Sequence, residues 1–226
     1  MKVLITHEES QTVMTAFLEA GHDAYSCDLL PASGKHPERH LQMDYLRAIE
    51  KINPDFLGMH PECTRLTVAA NKYYKPEYAE RFPTIHQDRL EAVAHFFNCA
   101  MALEKIGRGY IENPIGIMSR LYKKPSQIIQ PFEYGHAERK STCLWLFGLP
   151  KLEPTNIVKP DIIIHKSVRT DSRLHYETFK LPKEERRKAR SKTFPGIAKA
   201  MAKQWSEDAL TDQSQEKIKQ QTLFAI

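Results

Sequence analysis

Short apolar segments alternate with amphipathic ones through the first half of the chain, and this alternation constrains the fold more than any other feature. Residues 2–5 form a short apolar run that predicts a buried strand, and further strands are predicted over 22–27 and 55–59. Residues 9–20 and 84–106 carry apolar side chains at helical spacing, and a glycine follows each segment, as is common at helix ends. Strands that alternate with helices predict a Rossmann-like, doubly wound and mostly parallel α/β sheet.

The second half of the chain continues this pattern less regularly. Two further strands are predicted over 110–111 and 142–147, and a loop is predicted over 122–134. A chain of 226 residues suggests one main domain with small additions. The proline-containing residues 150–182 predict little regular structure, and helices are predicted over 183–190 and 195–205. The predicted division is a Rossmann-like domain over 1–150, a small basic C-terminal insertion over 151–192, a returning helix over 193–206 and a polar tail over 207–226.

Polar side chains follow each predicted element of the sheet at the point where that element ends. In doubly wound sheets, ligands bind at the carboxyl ends of the strands, which meet at one edge. Five clusters in register therefore predict a functional site at this edge. The clusters are Thr6 to Ser10, Asp28, Asp44, His60 to Cys63, and Glu112 with Asn113.

The cysteines and the hydropathy exclude several classes of protein. Cys27, Cys63, Cys99 and Cys143 are widely spaced and form no CxxC pair, which argues against a structural zinc site and a disulfide-stapled domain, so we expect no metal. No apolar run approaches the ~20 residues that span a bilayer. The N-terminal segment turns polar after Ile5, unlike a signal peptide. We expect a cytoplasmic protein that does not contact membranes.

The positive charge of the chain is concentrated near its C-terminal end. Residues 159–203 hold 13 Lys and Arg against 5 Asp and Glu, a net +8 in a chain of net +5. Such a stretch is able to follow nucleic-acid phosphates, although a solvated helical face gives the same pattern. The candidate DNA-binding residues are Lys183, Arg186, Arg187, Arg190 and Lys192.

Several motifs resemble those of the cytosine-5 DNA methyltransferase family, and their order along the chain is the same. The combination is most similar to short, phage-type methylase-like proteins, and it covers about residues 1–205. The motifs are Cys63 after a proline-containing strand end, the strand exit Glu112-Asn113-Pro114, Glu138-Arg139-Lys140 before a strand, and the helical segment Phe194 to Ala202.

This resemblance implies a covalent mechanism on a pyrimidine ring. Cys63 is implied as the nucleophile that adds to carbon 6 of cytosine, which makes carbon 5 reactive. Glu112 is implied as the proton donor to ring nitrogen 3, which requires a raised pKa. Asn113 braces the loop and Arg139 holds the base oxygen. Because carbon 5 is inaccessible in a duplex, the base must flip out of the helix.

The resemblance also implies S-adenosylmethionine as the methyl donor, bound over the first strand ends. Asp28 is implied to accept hydrogen bonds from the ribose hydroxyls, as a carboxylate after the second strand does in Rossmann sites. Asp44 is implied to contact the adenine. Glu8, Ser10 and Pro61 complete the implied cofactor-binding set. The implied location is the cytoplasm of a bacterium or of a phage-infected host cell.

Two positions depart from the family pattern. The first loop, His7 to Gln11, contains no glycine, although the family has a glycine-rich loop there for close approach to the cofactor. Glu62 stands where the family has proline, and a carboxylate beside a thiol disfavours the thiolate unless it is paired or points away. Arg65 is close enough in sequence to be the partner of Glu62.

Simpler interpretations of the same residues stay open. Residues 112–114 are also typical of an ordinary strand-to-turn exit, and Asp28 and Asp44 of helix caps or surface acids. Arg139 is also interpretable as a surface cation. For His60 we prefer a hydrogen-bonded core histidine to a metal ligand.

Three hypotheses about function follow. The first is methylation of cytosine carbon 5 in DNA; only about 45 residues separate Phe147 from Phe194, which leaves little room for base readout. The second is a one-carbon transfer to a free pyrimidine nucleotide. The third is a catalytically degenerate methylase fold that binds DNA or a host protein.

Overall fold

A seven-stranded sheet lies at the centre of the computed structural model, which describes residues 1–164 and 170–206. The strand order is β3-β2-β1-β4-β5-β7-β6. Strands β1 to β5 run parallel, whereas β7 pairs antiparallel with both β5 and β6. The strands are β1 (Lys2–Thr6), β2 (Asp23–Asp28), β3 (His40–Gln42), β4 (Phe56–Met59), β5 (Gly109–Pro114), β6 (Gln127–Ile129) and β7 (Thr142–Phe147).

Helices cover both faces of this sheet, and a small hairpin lies outside it. The hairpin consists of β8 (Ile162–Ile164) and β9 (Thr170–Ser172). The helices are α1 (Thr12–Glu19), α2 (Tyr45–Ile52), α3 (Ile85–Ile106), α4 (Met118–Leu121), α5 (Arg173–Thr178), α6 (Lys183–Ser191) and α7, which is helical over 195–206. Short 3₁₀ turns connect several of these elements.

The side chains of the central strands alternate between two apolar cores. Val3 and Ile5 point to the core that contains α1 and α7, whereas Leu4 points to the core that contains α2 and α3. On β5, Tyr110 and Ile111 divide between the two cores in the same way. Because both faces are covered, the strands are almost wholly apolar, as in other parallel sheets.

The structure confirms the predicted α/β class, a mostly parallel Rossmann-like sheet. An antiparallel strand between β5 and β6 is consistent with the methyltransferase variant of that fold, which the resemblance implies. The interpretation of 122–134 as loop was wrong in one part, because β6 forms there. Residues 150–182 likewise contain β8, β9 and α5. Three-residue strands and a six-residue helix are too short to show periodicity.

The prediction did not include helix α2. The α2 sequence is short, and Asp44, for which a ligand contact and a helix cap were both left open, caps the helix.

Residues 165–169 of the insertion and the tail over 207–226 lie outside the described residues. Within the described ranges, no helix combines the length and the apolar character that crossing a membrane would require.

Trp205 on α7 provides a test of how the last helix stabilises the sheet. Its side chain is fully buried, packs beside Phe56 and Tyr110, and donates a hydrogen bond to the Pro150 carbonyl. We expect Trp205→Ala to lower the free energy of unfolding by roughly 3–5 kcal/mol, because it leaves a large cavity. Urea denaturation measures this loss.

The matched control for this test is Ile157→Ala, whose side chain is 73% exposed and should change the free energy by less than about 0.5 kcal/mol. A loss below about 1 kcal/mol for Trp205→Ala would show that α7 is not part of the folding unit.

Candidate functional site

The loop after β4 carries Cys63 and is held by the end of β5. Asn113 Nδ2 donates a buried hydrogen bond of 2.9 Å to the Pro61 carbonyl. The Cys63 carbonyl accepts from the amides of Leu66 and Thr67, at 2.9 and 3.1 Å, so a tight turn begins at the cysteine. The half-buried Cys63 is therefore placed by β4, β5 and its own turn, and the Glu112 carboxylate acts on its thiol electrostatically.

Glu112 points from β5 into a small pocket below α7. Glu112 is two positions from Tyr110 and so lies on the same face of the strand, toward α7. Burial raises the pKa of Glu112, and the Lys140 ammonium opposes this shift. The pocket holds about 260 Å³ with its open mouth and is lined by His60, Glu112, Lys140, Thr142, Thr193, Phe194, Ile197 and Met201.

His60 forms the floor of this pocket as a neutral imidazole. Its Nε2 lies 2.8 Å from the Tyr110 hydroxyl. Burial, with a smaller contribution from the Lys140 charge, lowers the pKa of His60 to about 3. The preferred interpretation of His60 as a hydrogen-bonded histidine agrees with this contact.

The Cys63 thiol is protonated at neutral pH in this structure. Burial raises its pKa to about 11, and the carboxylates of Glu112 and Glu62 act in the same direction, whereas Lys140 favours the thiolate. At pH 7 the thiolate fraction is then about 10⁻⁴. A reaction at Cys63 requires substrate or a charge rearrangement to stabilise the thiolate.

Lys140, which the sequence analysis did not single out, lies closer to the site than Arg139. Arg139 is exposed and is not among the described residues that line the pocket, whereas Lys140 lines it. The sequence signal was the position of Lys140 two residues before Thr142, the first residue of β7, because period-two alternation extended from that strand puts both on one side. Thr142 lines the pocket as well. Lys140 Nζ also donates to the Lys192 carbonyl at 3.3 Å.

The predicted partner of Glu62 was wrong. Arg65 pairs with Asp88 on α3, with 2.7 Å between Nη2 and Oδ2, and is not available to Glu62. Glu62 is exposed and accepts a hydrogen bond of 2.9 Å from the Thr64 hydroxyl. Its carboxylate thus points into solvent, which weakens its effect on the thiol.

Glu8 caps α1 from inside the loop after β1. Its side chain is 4% exposed, Oε1 accepts from the Val13 amide at 2.6 Å, and Oε2 accepts from the Met14 amide at 3.1 Å. The helix N-terminus, which binds anions in many Rossmann sites, is therefore satisfied by the chain itself. The Ser10 hydroxyl lies 3.2 Å from that of Thr12.

The other carboxylates near the implied cofactor site differ in how far their oxygens already accept hydrogen bonds from the described residues. Asp44 is the N-cap of α2, where Oδ1 accepts from the Leu46 amide at 2.9 Å. Asp28 lies half-buried at the end of β2, and its Oδ1 accepts from Leu30. Glu9 Oε2 is buried and accepts no hydrogen bond within the described residues. Acceptors for a cationic, hydroxylated ligand are thus present at Asp28 and Glu9.

The basic helix α6 packs against α5 and reaches the first loop. Arg186 donates to the Phe179 carbonyl at 3.2 Å, Arg187 pairs with Glu184, and Arg190 donates to Thr178 Oγ1 at 2.7 Å. Lys188 Nζ lies 4.0 Å from Glu9 Oε2. The exposed Lys192 borders the pocket through its carbonyl, and the side chain of Lys183 lies outside the described part of the chain.

Glu8 should make the stability depend on pH. Burial raises its pKa from 4.5 to about 7, so the native state binds the proton more tightly than the unfolded state. The resulting stability is present below about pH 4.5 and is lost as pH rises to about 7. Glu8→Gln removes this titration, and its stability relative to wild type should rise by roughly 3 kcal/mol between pH 4.5 and 7.5 in urea denaturation. Parallel pH profiles for both proteins would contradict the assignment.

The charges around Cys63 predict opposite effects of two substitutions on its reactivity. At pH 9, Glu112→Gln should speed alkylation of Cys63 by iodoacetamide, because a like charge that disfavours the thiolate is removed. Lys140→Gln should slow it, each by roughly three- to tenfold. Mass spectrometry of the digested protein measures alkylation at Cys63 separately from alkylation at the buried cysteines.

The control for the alkylation test is Lys124→Gln, an exposed lysine, which should leave the rate unchanged. Equal rates in all three variants would show that Glu112 and Lys140 do not share a site with Cys63.

Comparisons with known proteins leave the family open. No protein-family model matches the chain, and no curated protein matches it. The chain is similar to the solved structure of the Entamoeba histolytica methyltransferase EhMeth, with 14% identity, a TM-score of 0.43, and coverage of 72% of this chain and 58% of that chain. At this similarity the neighbour's activity does not transfer, and the fold class rests on the strand order and directions.

Proposed function

We propose that the chain is a cysteine-dependent methyltransferase that acts on carbon 5 of a cytosine base, with DNA as the substrate. The observation that carries the proposal is the joint placement of the Cys63 loop and the end of β5. Asn113 holds the loop through the Pro61 carbonyl, and Glu112, the adjacent residue, faces the pocket and influences the thiol. A helix cap or an ordinary turn would not require a buried carboxyl group beside a cysteine.

Cys63 and the pocket residue Glu112 suit covalent activation of a pyrimidine ring in our proposal. Cys63 releases its proton to solvent, and the thiolate adds to carbon 6 of the base. Glu112, whose pKa is raised, donates a proton to ring nitrogen 3, so the electron pair of the opened double bond enriches carbon 5. At the end, water accepts the carbon-5 proton, the released electron pair restores the double bond as the Cys63 thiolate departs, and nitrogen 3 returns its proton to Glu112.

In our proposal, Lys140 acts on both Cys63 and Glu112. Burial raises the pKa values of Cys63 and Glu112, the Lys140 ammonium opposes both shifts, and Lys140 lines the pocket. We therefore propose for Lys140 the contact to the base oxygen that the resemblance implies for Arg139. The exposed Arg139 remains available for a phosphate of the substrate backbone.

S-adenosylmethionine, when bound, supplies the methyl group for carbon 5. The donor set is suitable for it at two positions, Asp28 for the ribose hydroxyls and the buried oxygen of Glu9 for a cationic group. Glu8 and Asp44 hold helix amides, and Pro61 accepts from Asn113, so we assign these three to support of the surrounding backbone.

The proposed activity is measured as transfer of a labelled methyl group from the donor to DNA. Cys63→Ser should abolish transfer, because an alcohol adds to carbon 6 far more slowly than a thiolate. The matched control is Cys27→Ser, a buried cysteine that donates to the Met43 carbonyl, and it should retain transfer. Glu112→Gln should reduce transfer by roughly 10²–10⁴-fold.

Two results would redirect the proposal. Labelled DNA formed equally by Cys63→Ser would exclude the nucleophile assignment. Transfer to deoxycytidine monophosphate with none to DNA would replace DNA with the free nucleotide as the substrate.

A second candidate is a catalytically degenerate fold that binds DNA. The occupied N-terminus of α1 and the protonated state of Cys63 favour it. It predicts no heat of binding for S-adenosylmethionine in calorimetry. It also predicts DNA binding that weakens steeply with salt and is reduced by charge removal at Arg187 and Lys192.

A further inference from the structure

A second cluster of reactive side chains lies on the opposite face of the sheet from Glu112. It consists of His7, which follows β1, with His95 and Cys99 on α3. The two residues on α3 are four positions apart and so lie on one face of the helix. Neither the methyl-transfer site nor the packing of the cores uses the imidazole nitrogens that meet there.

The ligand atoms of this cluster are spaced for one metal ion. The Nε2 atoms of His7 and His95 are 3.0 Å apart, and Cys99 Sγ lies 3.8 Å from His95 Nε2. All three atoms lie within 4.8 Å of one another. Zinc bonds of about 2.0–2.1 Å to nitrogen and 2.3 Å to sulfur in a tetrahedron require ligand separations of roughly 3.3–3.6 Å. The separations of 3.0 and 3.8 Å lie within a few tenths of an ångström of these values. The third pair, His7 Nε2 and Cys99 Sγ, is at most 4.8 Å apart, so it needs a side-chain shift of up to about 1.2 Å.

The surroundings are those of a built site. The Thr6 hydroxyl lies 3.0 Å from His7 Nδ1, which fixes the ring and leaves Nε2 directed at His95. The Tyr45 hydroxyl hydrogen-bonds Cys99, and the Tyr45 ring packs against both histidines.

The backbone at His7 also departs from the ordinary. Its φ is 58°, in the left-handed region that costs energy for a residue with a side chain. Such conformations persist where the surroundings impose them, and they are frequent at functional sites. Here the conformation turns His7 toward α3 between the end of β1 and the buried cap Glu8.

We propose that His7, His95 and Cys99 form a binding site for one thiophilic divalent cation of the zinc class, with a fourth position open to water or to Asp44. Two imidazoles and a thiolate are the ligand set that selects such ions over Mg²⁺ or Ca²⁺. The cation would join the loop after β1 to α3. The expectation of no metal rested on the wide spacing of the cysteines, which does not apply to a site with one cysteine.

The test uses Co²⁺ as the probe metal with the full chain, stripped by chelator and kept reduced. We expect one Co²⁺ per chain, with the absorption band of a cobalt–thiolate bond, and displacement by Zn²⁺. Cys99→Ser should remove that band and weaken Zn²⁺ binding at least tenfold, and His7→Asn should weaken it similarly. The matched control Cys143→Ser, a buried cysteine on β7, should leave both unchanged.

Circular dichroism identifies variants that fail to fold, and an unfolded Cys99→Ser is replaced in the test by His95→Gln. Zinc should raise the melting temperature of wild type with the logarithm of its concentration and should have little effect on either variant. Folded wild type that binds no Co²⁺, or that loses the thiolate band on Cys63→Ser but keeps it on Cys99→Ser, would overturn the proposal and leave a simple histidine–histidine hydrogen bond.

Discussion

The pairing of β1 with β2 on one side and with β4 on the other determines where every polar side chain of the site lies. The register aligns Thr6 with Cys27 and with Met59, so the chain leaves all three strands at the same height. The loop after β1, Asp28 and the Cys63 loop consequently lie at one edge although they are distant in sequence. From β1 the chain adds β2 and β3 on one side of the sheet and then β4 and β5 on the other. Crevices open at such switch points in parallel sheets.

This arrangement buries several ionisable groups, and burial shifts their pKa values. Glu8, Glu112 and Cys63 all have raised pKa values with burial as the main cause. For Glu8 the result is structural, since two helix amides hold the carboxyl group. For Glu112 the same shift suits the proton donor of the proposed mechanism, and for Cys63 it disfavours the thiolate. Lys140 acts against the burial effect at both residues.

The sequence was sufficient for the parts of the fold that repeat a pattern. Short apolar runs that alternate with helical segments, among them the 22-residue α3, predicted the sheet and its class, because this alternation repeats along the chain. It was insufficient where a contact between distant residues decides the outcome. Nothing near Arg65 in sequence indicates Asp88 as its partner, and a three-residue strand such as β6 forms only because β7 is present to pair with it.

The loop after β1 connects the features on the two faces of the sheet. His7 turns toward α3, Glu8 turns inward onto α1, and Glu9 extends toward Lys188 of the basic helix. Three consecutive side chains thus join three separate elements, which a glycine-rich loop could not do. The absence of glycine, which first looked like a loss of cofactor approach, is explained by these contacts. Because Lys192 also touches Lys140 through its carbonyl, α6 borders the first loop at one end and the Glu112 pocket at the other. A substrate phosphate that draws α6 away would therefore alter both places together.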